Sequence, residues 1–113
     1  MARNVRVEVV RKVPRNAVLV DLDGFGEEHS TTIRERLLLA GYRVRSMEVI
    51  PSRRHVHAIV RVWPTPKSLL ERIALQLLCG SDPNREAHNL RRLRVLSKMP
   101  KWARMTANVL YER

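Results

Sequence analysis

Two short stretches of this chain gather side chains that can do phosphate chemistry: Asp21-Leu22-Asp23 at the end of one apolar run, and Ser52-Arg53-Arg54-His55-Val56-His57 leading into another. Side chains alternate across a strand, so in Ala17–Asp23 the residues Val18, Val20 and Leu22 share one face while Asp21 and Asp23 share the other. In His55–Trp63 the row Val56, Ala58, Val60 and Val62 is apolar and leaves His55, His57 and Arg61 opposite. Two carboxylates one residue apart can hold a divalent cation through oxygen, the ligand type that Mg²⁺ or Mn²⁺ favours. Such an ion neutralises a triphosphate and activates an attacking hydroxyl. Ser52, Arg53, Arg54 and His57 add a hydroxyl, two guanidinium groups and an imidazole suited to phosphate oxygens. Each stretch alone also has a plain structural reading, a solvated strand end before a Gly-containing turn and an exposed basic hairpin turn.

The elements that must position these residues follow from periodicity and capping. Val5, Val7 and Val9 alternate with Arg6 and Glu8 as a strand running to about Val10, and Pro14-Arg15-Asn16 breaks it before the Ala17–Asp23 strand. Gly24 and Gly26 provide a tight exit. A helix is expected from Ser30–Thr32, with Thr32 and Glu35 as a capping box, Ile33, Leu37, Leu38 and Ala40 inward, and Gly41 as its stop. Arg43–Ile50 resumes extended structure with room for a bulge, and His55–Trp63 is the clearest strand. Thr65-Pro66 reads as the start of the main core helix, which carries Leu69, Leu70, Ile73, Ala74, Leu77 and Leu78 and closes at Gly80. Asp82-Pro83 opens another helix, with Ala87, Leu90, Leu93 and Leu96 on one side and Arg85, Arg91, Arg92 and Arg94 largely elsewhere. Ala107–Tyr111 reads as a short last strand. Strand–helix–strand–strand–helix predicts a single α+β domain over residues 1–113, its helices on one face of an antiparallel sheet. The face with Asp21, Asp23 and His57 is then expected to lie open to a substrate.

Composition narrows the partner. Twenty-two Lys and Arg against eleven Asp and Glu give a net charge of +11, which points to a polyanion and most simply to nucleic acid. Eighteen of those cations are Arg, a bias that suits phosphate binding and equally a GC-rich genome or a hot habitat; Arg61, Arg85, Arg91, Arg92 and Arg94 are the candidates for backbone phosphate contacts. Aromatic residues make up only 4%, with Trp63 the best stacking candidate, so backbone binding is favoured over base readout. Cys79 is the single cysteine, which excludes an intrachain disulfide and a cysteine-rich metal site and makes a cytoplasmic setting the default expectation. No apolar run is long enough for a bilayer, and no membrane partner is expected. His29 and His88 have no partner pattern and read as surface residues; Tyr42 and Trp102 read as packing residues.

Val18-Leu19-Val20-Asp21-Leu22-Asp23 together with Ser52-Arg53-Arg54-His55-Val56-His57 resembles the archaeo-eukaryotic primase superfamily, over roughly Ala17–Trp63. In that family a strand ends in Asp-x-Asp and a Ser-containing turn leads to a strand histidine. The resemblance implies an RRM-like (ferredoxin-like) catalytic palm, Asp21 and Asp23 as ligands of Mg²⁺ or Mn²⁺, and Ser52, Arg53, Arg54 and His57 at the phosphates of a nucleoside triphosphate. It further implies a replication role on DNA or RNA, with another copy or a replication protein as partner; the small size suits a virus or plasmid. His55 stands where a glycine is common. No apolar strand ending in Asp follows His57, and Asp82, the one acidic residue in a turn-like setting, reads first as a helix cap. His55-Val56-His57 also resembles the His–apolar–His motif of rolling-circle Rep proteins and single-strand transposases (HUH endonucleases). In those, two histidines hold a metal and a downstream tyrosine, here Tyr111, attacks the phosphate. A basic RRM-like binding module without catalysis is the third reading.

Overall fold

A computed structural model of the chain describes residues 9–51, 54–96 and 109–112. Its elements run β1 (Val9–Lys12), β2 (Ala17–Leu22), α1 (Glu27–Leu39), β3 (Arg43–Pro51), β4 (Val56–Trp63), α2 (Leu69–Leu78), α3 (Pro83–Leu96) and β5 (Val109–Glu112). β2, β4 and β3 form an antiparallel sheet in that spatial order, and β1 pairs with β5 in a separate antiparallel ribbon. The β2–α1–β3–β4–α2 path through a sheet ordered β2-β4-β3 is an RRM-like, ferredoxin-like α+β arrangement. Ser52, Arg53, Pro100 and Trp102 lie outside the described residues, as does the expected first strand before Val9.

One face of the sheet is the main core. Val18, Val20, Leu22, Ala58, Val60 and Val62 meet Ile33 and Leu37 of α1, Leu75 of α2, Cys79 just past it and Tyr42. Full burial of side chains such as Ile33 and Leu37 contributes about 1.5–3 kcal/mol each. Gly41 and Gly80, with φ of 92° and 90°, end α1 and α2 in the left-handed region, as both stops required. β3 carries the expected irregularity, a register shift between Val44 and Ser46.

Four expectations are corrected. The helix α1 begins at Glu27, three residues before Ser30, because Gly26 is its N-cap and the Nδ1 atom of His29 accepts a hydrogen bond from Gly26 N at 2.9 Å. That bond gives His29 a partner while its side chain stays at the surface. α2 begins at Leu69 with Ser68 as the N-cap accepting from Glu71 N at 3.1 Å, so Thr65 and Pro66 belong to the approach. The inward faces of both later helices differ from the apolar rows. In α2 the buried residues are Ile73, Leu75 and Gln76 while Leu70, Leu77 and Leu78 are exposed; in α3 they are Glu86 and Asn89, with Leu90 exposed. Gln76 of α2 turns inward because α2 lies along the outer edge of β2, where unpaired backbone donors need acceptors, and Glu86 of α3 turns inward to accept from Gln76 and Ser81 in turn. Lastly, the second face of the sheet is not open. Ala17 and Leu19 are fully buried on it, clustered with Ile59, Val13 and Ile50.

Candidate functional site

Asp21 and His57 face each other directly across the β2–β4 ladder, on the same side of the sheet as Leu19 and Ile59 but at its other end. Nε2 of His57 lies 3.4 Å from Oδ1 of Asp21. Nδ1 of His55, on the residue just before β4, lies 3.7 Å from that same oxygen and 3.4 Å from Oδ1 of Asp23. The four groups form an open row, His57–Asp21–His55–Asp23, that passes from the interior to solvent. The Asp21 side chain is 9% exposed and that of Asp23 fully exposed, which makes Asp21 the inner carboxylate and Asp23 the outer one. Oδ1 of Asp21 and Nδ1 of His57 are buried with no hydrogen-bond partner among the described residues. A buried carboxylate oxygen left in that state costs stability unless something else comes to it.

The row opens into a cleft of about 780 Å³ between the exit of β2, one face of α1 and the α2–α3 turn. His55, Asp21 and Asp23 line it; His57 does not, and stands behind Asp21. Asp82 lines it too. The backbone N–H of Asp82 donates to the Asp21 carbonyl at 2.8 Å, tying the two chain segments together. Asp82 is also the expected helix cap, its Oδ1 accepting from Asn84 N at 3.1 Å, so one residue opens α3 and faces the cleft. With Glu28 on α1, the lining among the described residues holds four carboxylates against the guanidinium of Arg36, in a chain whose net charge is +11. A concave acidic spot on a basic molecule concentrates cations locally.

The remaining candidates are dispersed. Arg54 is exposed beside the row. Arg61 lies at the opposite end of β4, where Nη1 donates to Asn16 Oδ1 at 2.9 Å. Arg85 is drawn inward, its Nη1 2.8 Å from Oε2 of Glu86, whereas Arg91 and Arg94 are exposed on α3 and Arg92 is half-buried. Trp63 is exposed at the end of β4 and Tyr111 lies on β5 opposite Val10. Among the described residues no group of three or more His, Cys, Asp or Glu side chains is already gathered closely enough to hold a metal ion, and none of the described helices is long and apolar enough to cross a membrane. Sequence reasoning missed the buried cluster of Gln76, Ser81, Glu86 and Asn89 behind Asp21. Its only signal was polar residues interrupting helical rows that otherwise read as apolar. No protein-family model, curated protein or solved structure matches this chain.

Proposed function

We propose that this cleft binds a divalent cation and performs nucleotidyl transfer on nucleic acid, in the manner of a minimal primase core. The observation that carries the reading is the buried, hydrogen-bond-free Oδ1 of Asp21, ringed by His55 and His57 and leading to Asp23 and Asp82. Nδ1 of His55 stands 3.4 Å from Oδ1 of Asp23, within the roughly 3.0–3.5 Å that separates neighbouring ligands about 2.1 Å from one metal, and 3.7 Å from Oδ1 of Asp21, so Asp21 must draw in slightly as the ion binds. Asp21, Asp23 and His55 would hold the ion, with Asp82 within the same cleft. A mixed oxygen and nitrogen set favours Mn²⁺ over Mg²⁺. When bound, the ion supplies charge neutralisation at a triphosphate and lowers the pKa of an attacking hydroxyl. His57 acts from behind by orienting the Asp21 carboxylate, and Arg54 and Arg36 offer guanidinium groups to phosphate oxygens. The Arg-rich exterior, including Arg91 and Arg94, holds the DNA or RNA backbone.

Manganese titration followed by primer-extension assays with nucleoside triphosphates tests this. The wild type should bind Mn²⁺ and incorporate nucleotides, and Asp21→Asn with Asp23→Asn should remove both. Wild-type protein that binds no Mn²⁺ at millimolar concentration overturns the reading.

The approach of both His55 and His57 to Asp21 supports a second reading, a strand-nicking endonuclease of the His–apolar–His type. There Tyr111 would form a covalent adduct with single-stranded DNA, lost in Tyr111→Phe. An adduct at Tyr111 would reverse the ranking.

A further inference from the structure

We infer that the buried carboxylate of Glu86 is a positioning group for Asp21, acting through Ser81 and Gln76 in place of a further strand on the β2 edge. β2 is the outer strand of its sheet, and on its open side the backbone meets side chains where an edge strand would meet solvent or another strand. Leu19 N donates to Oε1 of Gln76 at 2.9 Å, and Asp21 N donates to Oγ of Ser81 at 2.9 Å. Both acceptors then pass a hydrogen bond onward: Nε2 of Gln76 donates to Oε1 of Glu86 at 2.7 Å, and Oγ of Ser81 donates to Oε2 of Glu86 at 2.7 Å. Asn89 Nδ2 and Arg85 Nη1 complete the carboxylate at 3.0 and 2.8 Å. Four donors on two oxygens is the acceptor capacity of an ionised carboxylate. Glu86 has no exposed surface and reaches neither the cleft nor Asp21 directly. It therefore fixes Ser81 and Gln76, and these fix the register and height of the β2 backbone.

The consequence for the site is specific. Asp21 is held at N–H by Ser81 and at its carbonyl by Asp82 N. The segment Ser81-Asp82 thus grips Asp21 from both backbone groups while it presents the Asp82 side chain to the same cleft. Groups that orient ligands in this way typically tune metal affinity 10–100-fold without touching the ion. The metal arm of the inference rests on the proposed cation site; the backbone arm does not.

Amide hydrogen exchange by NMR, paired with Mn²⁺ titration, tests it on the full chain. Ser81→Ala should speed exchange of the Asp21 amide at least about tenfold relative to that of Leu19, and weaken Mn²⁺ binding about tenfold. Ser81→Thr, which keeps the hydroxyl, should restore both. Asn89→Ala removes a donor from Glu86 without touching β2, so it should lower thermal stability while leaving the ratio of Asp21 to Leu19 exchange unchanged. If Ser81→Ala does not fold, Ser81→Cys, nearly the same shape but a weak acceptor, gives the same readout. Equal protection of Asp21 and Leu19 in the Ser81 variants overturns the inference. A wild type that binds no Mn²⁺ but shows the selective loss of Asp21 protection in Ser81→Ala sinks the cation site and leaves the backbone frame standing.

Discussion

The two ends of one sheet face contrast sharply although the same two strands build both. At one end Ala17, Leu19 and Ile59 are sealed in an apolar cluster; two residues further along β2, Asp21 meets His57 and His55 and carries a buried oxygen without a hydrogen bond. Strand period decides which residues share a face. It does not decide what covers them. The apolar end supplies stability, and the polar end keeps a buried carboxylate oxygen without a hydrogen bond, which a well-packed interior would avoid. Such local cost at one end, set against close packing at the other, is a pattern found where a protein holds a binding group ready.

The hardest blow to this contrast comes from behind the polar end. Glu86→Leu strands the donors of Gln76, Ser81 and Asn89 and the Arg85 guanidinium, and should cost about 3–5 kcal/mol in chemical denaturation. Leu19→Ala strikes the apolar end and should cost about 3 kcal/mol by the same measurement, from lost transfer energy and a residual cavity. Asp21→Asn, two residues away, should change stability by less than about 1 kcal/mol or raise it, because it removes charge from a buried oxygen that accepts no hydrogen bond and meets only imidazoles 3.4 and 3.7 Å away. A loss as large as that of Leu19→Ala would mean that Asp21 is structural and that the two ends are alike. A smaller effect concerns pH. Burial pushes the Cys79 thiol up to about 11 from an ordinary 9.0, since the folded state favours the neutral form. Its contribution is therefore complete below pH 9.0 and is lost as pH rises through about 11. Comparing urea midpoints of the wild type and Cys79→Ala across that range should show a shallower alkaline decline in the variant. Smallest of all, Arg45→Ala on exposed β3 should stay within about 0.5 kcal/mol.

Much of this was legible in the sequence where one physical rule acted alone. Alternation located β2 and β4 and placed Asp21 and His57 on a common face, and the glycines at 41 and 80 marked two helix ends. Legibility failed where a neighbour imposed a competing demand. Leu70, Leu77 and Leu78 form the more apolar row of α2, yet Gln76 turns inward because the β2 edge offers N–H groups that need acceptors. Glu86 displaces Leu90 from the inner side of α3 because Gln76 and Ser81, once turned to β2, need an acceptor for their own donors, and Asn89 adds a further donor to Glu86. Asp82 was visible as a cap; its place beside Asp21 depends on a hydrogen bond between segments sixty-one positions apart, which no local pattern encodes.

The closure of the β2 edge also bears on how copies of this chain can associate. Gln76, Ser81, Asp82 and Arg72 occupy the outward backbone groups of Leu19, Asp21 and Ala17. β3, at the other side, has no strand partner beyond β4 among the described residues, and its Arg43, Arg45 and Glu48 are exposed. Among the described residues this leaves the β3 side of the sheet able to add a strand from a neighbour. Two molecules joined β3 to β3 would pair these described edges with each other, and the occupied β2 edges would offer no further strand position in this sheet.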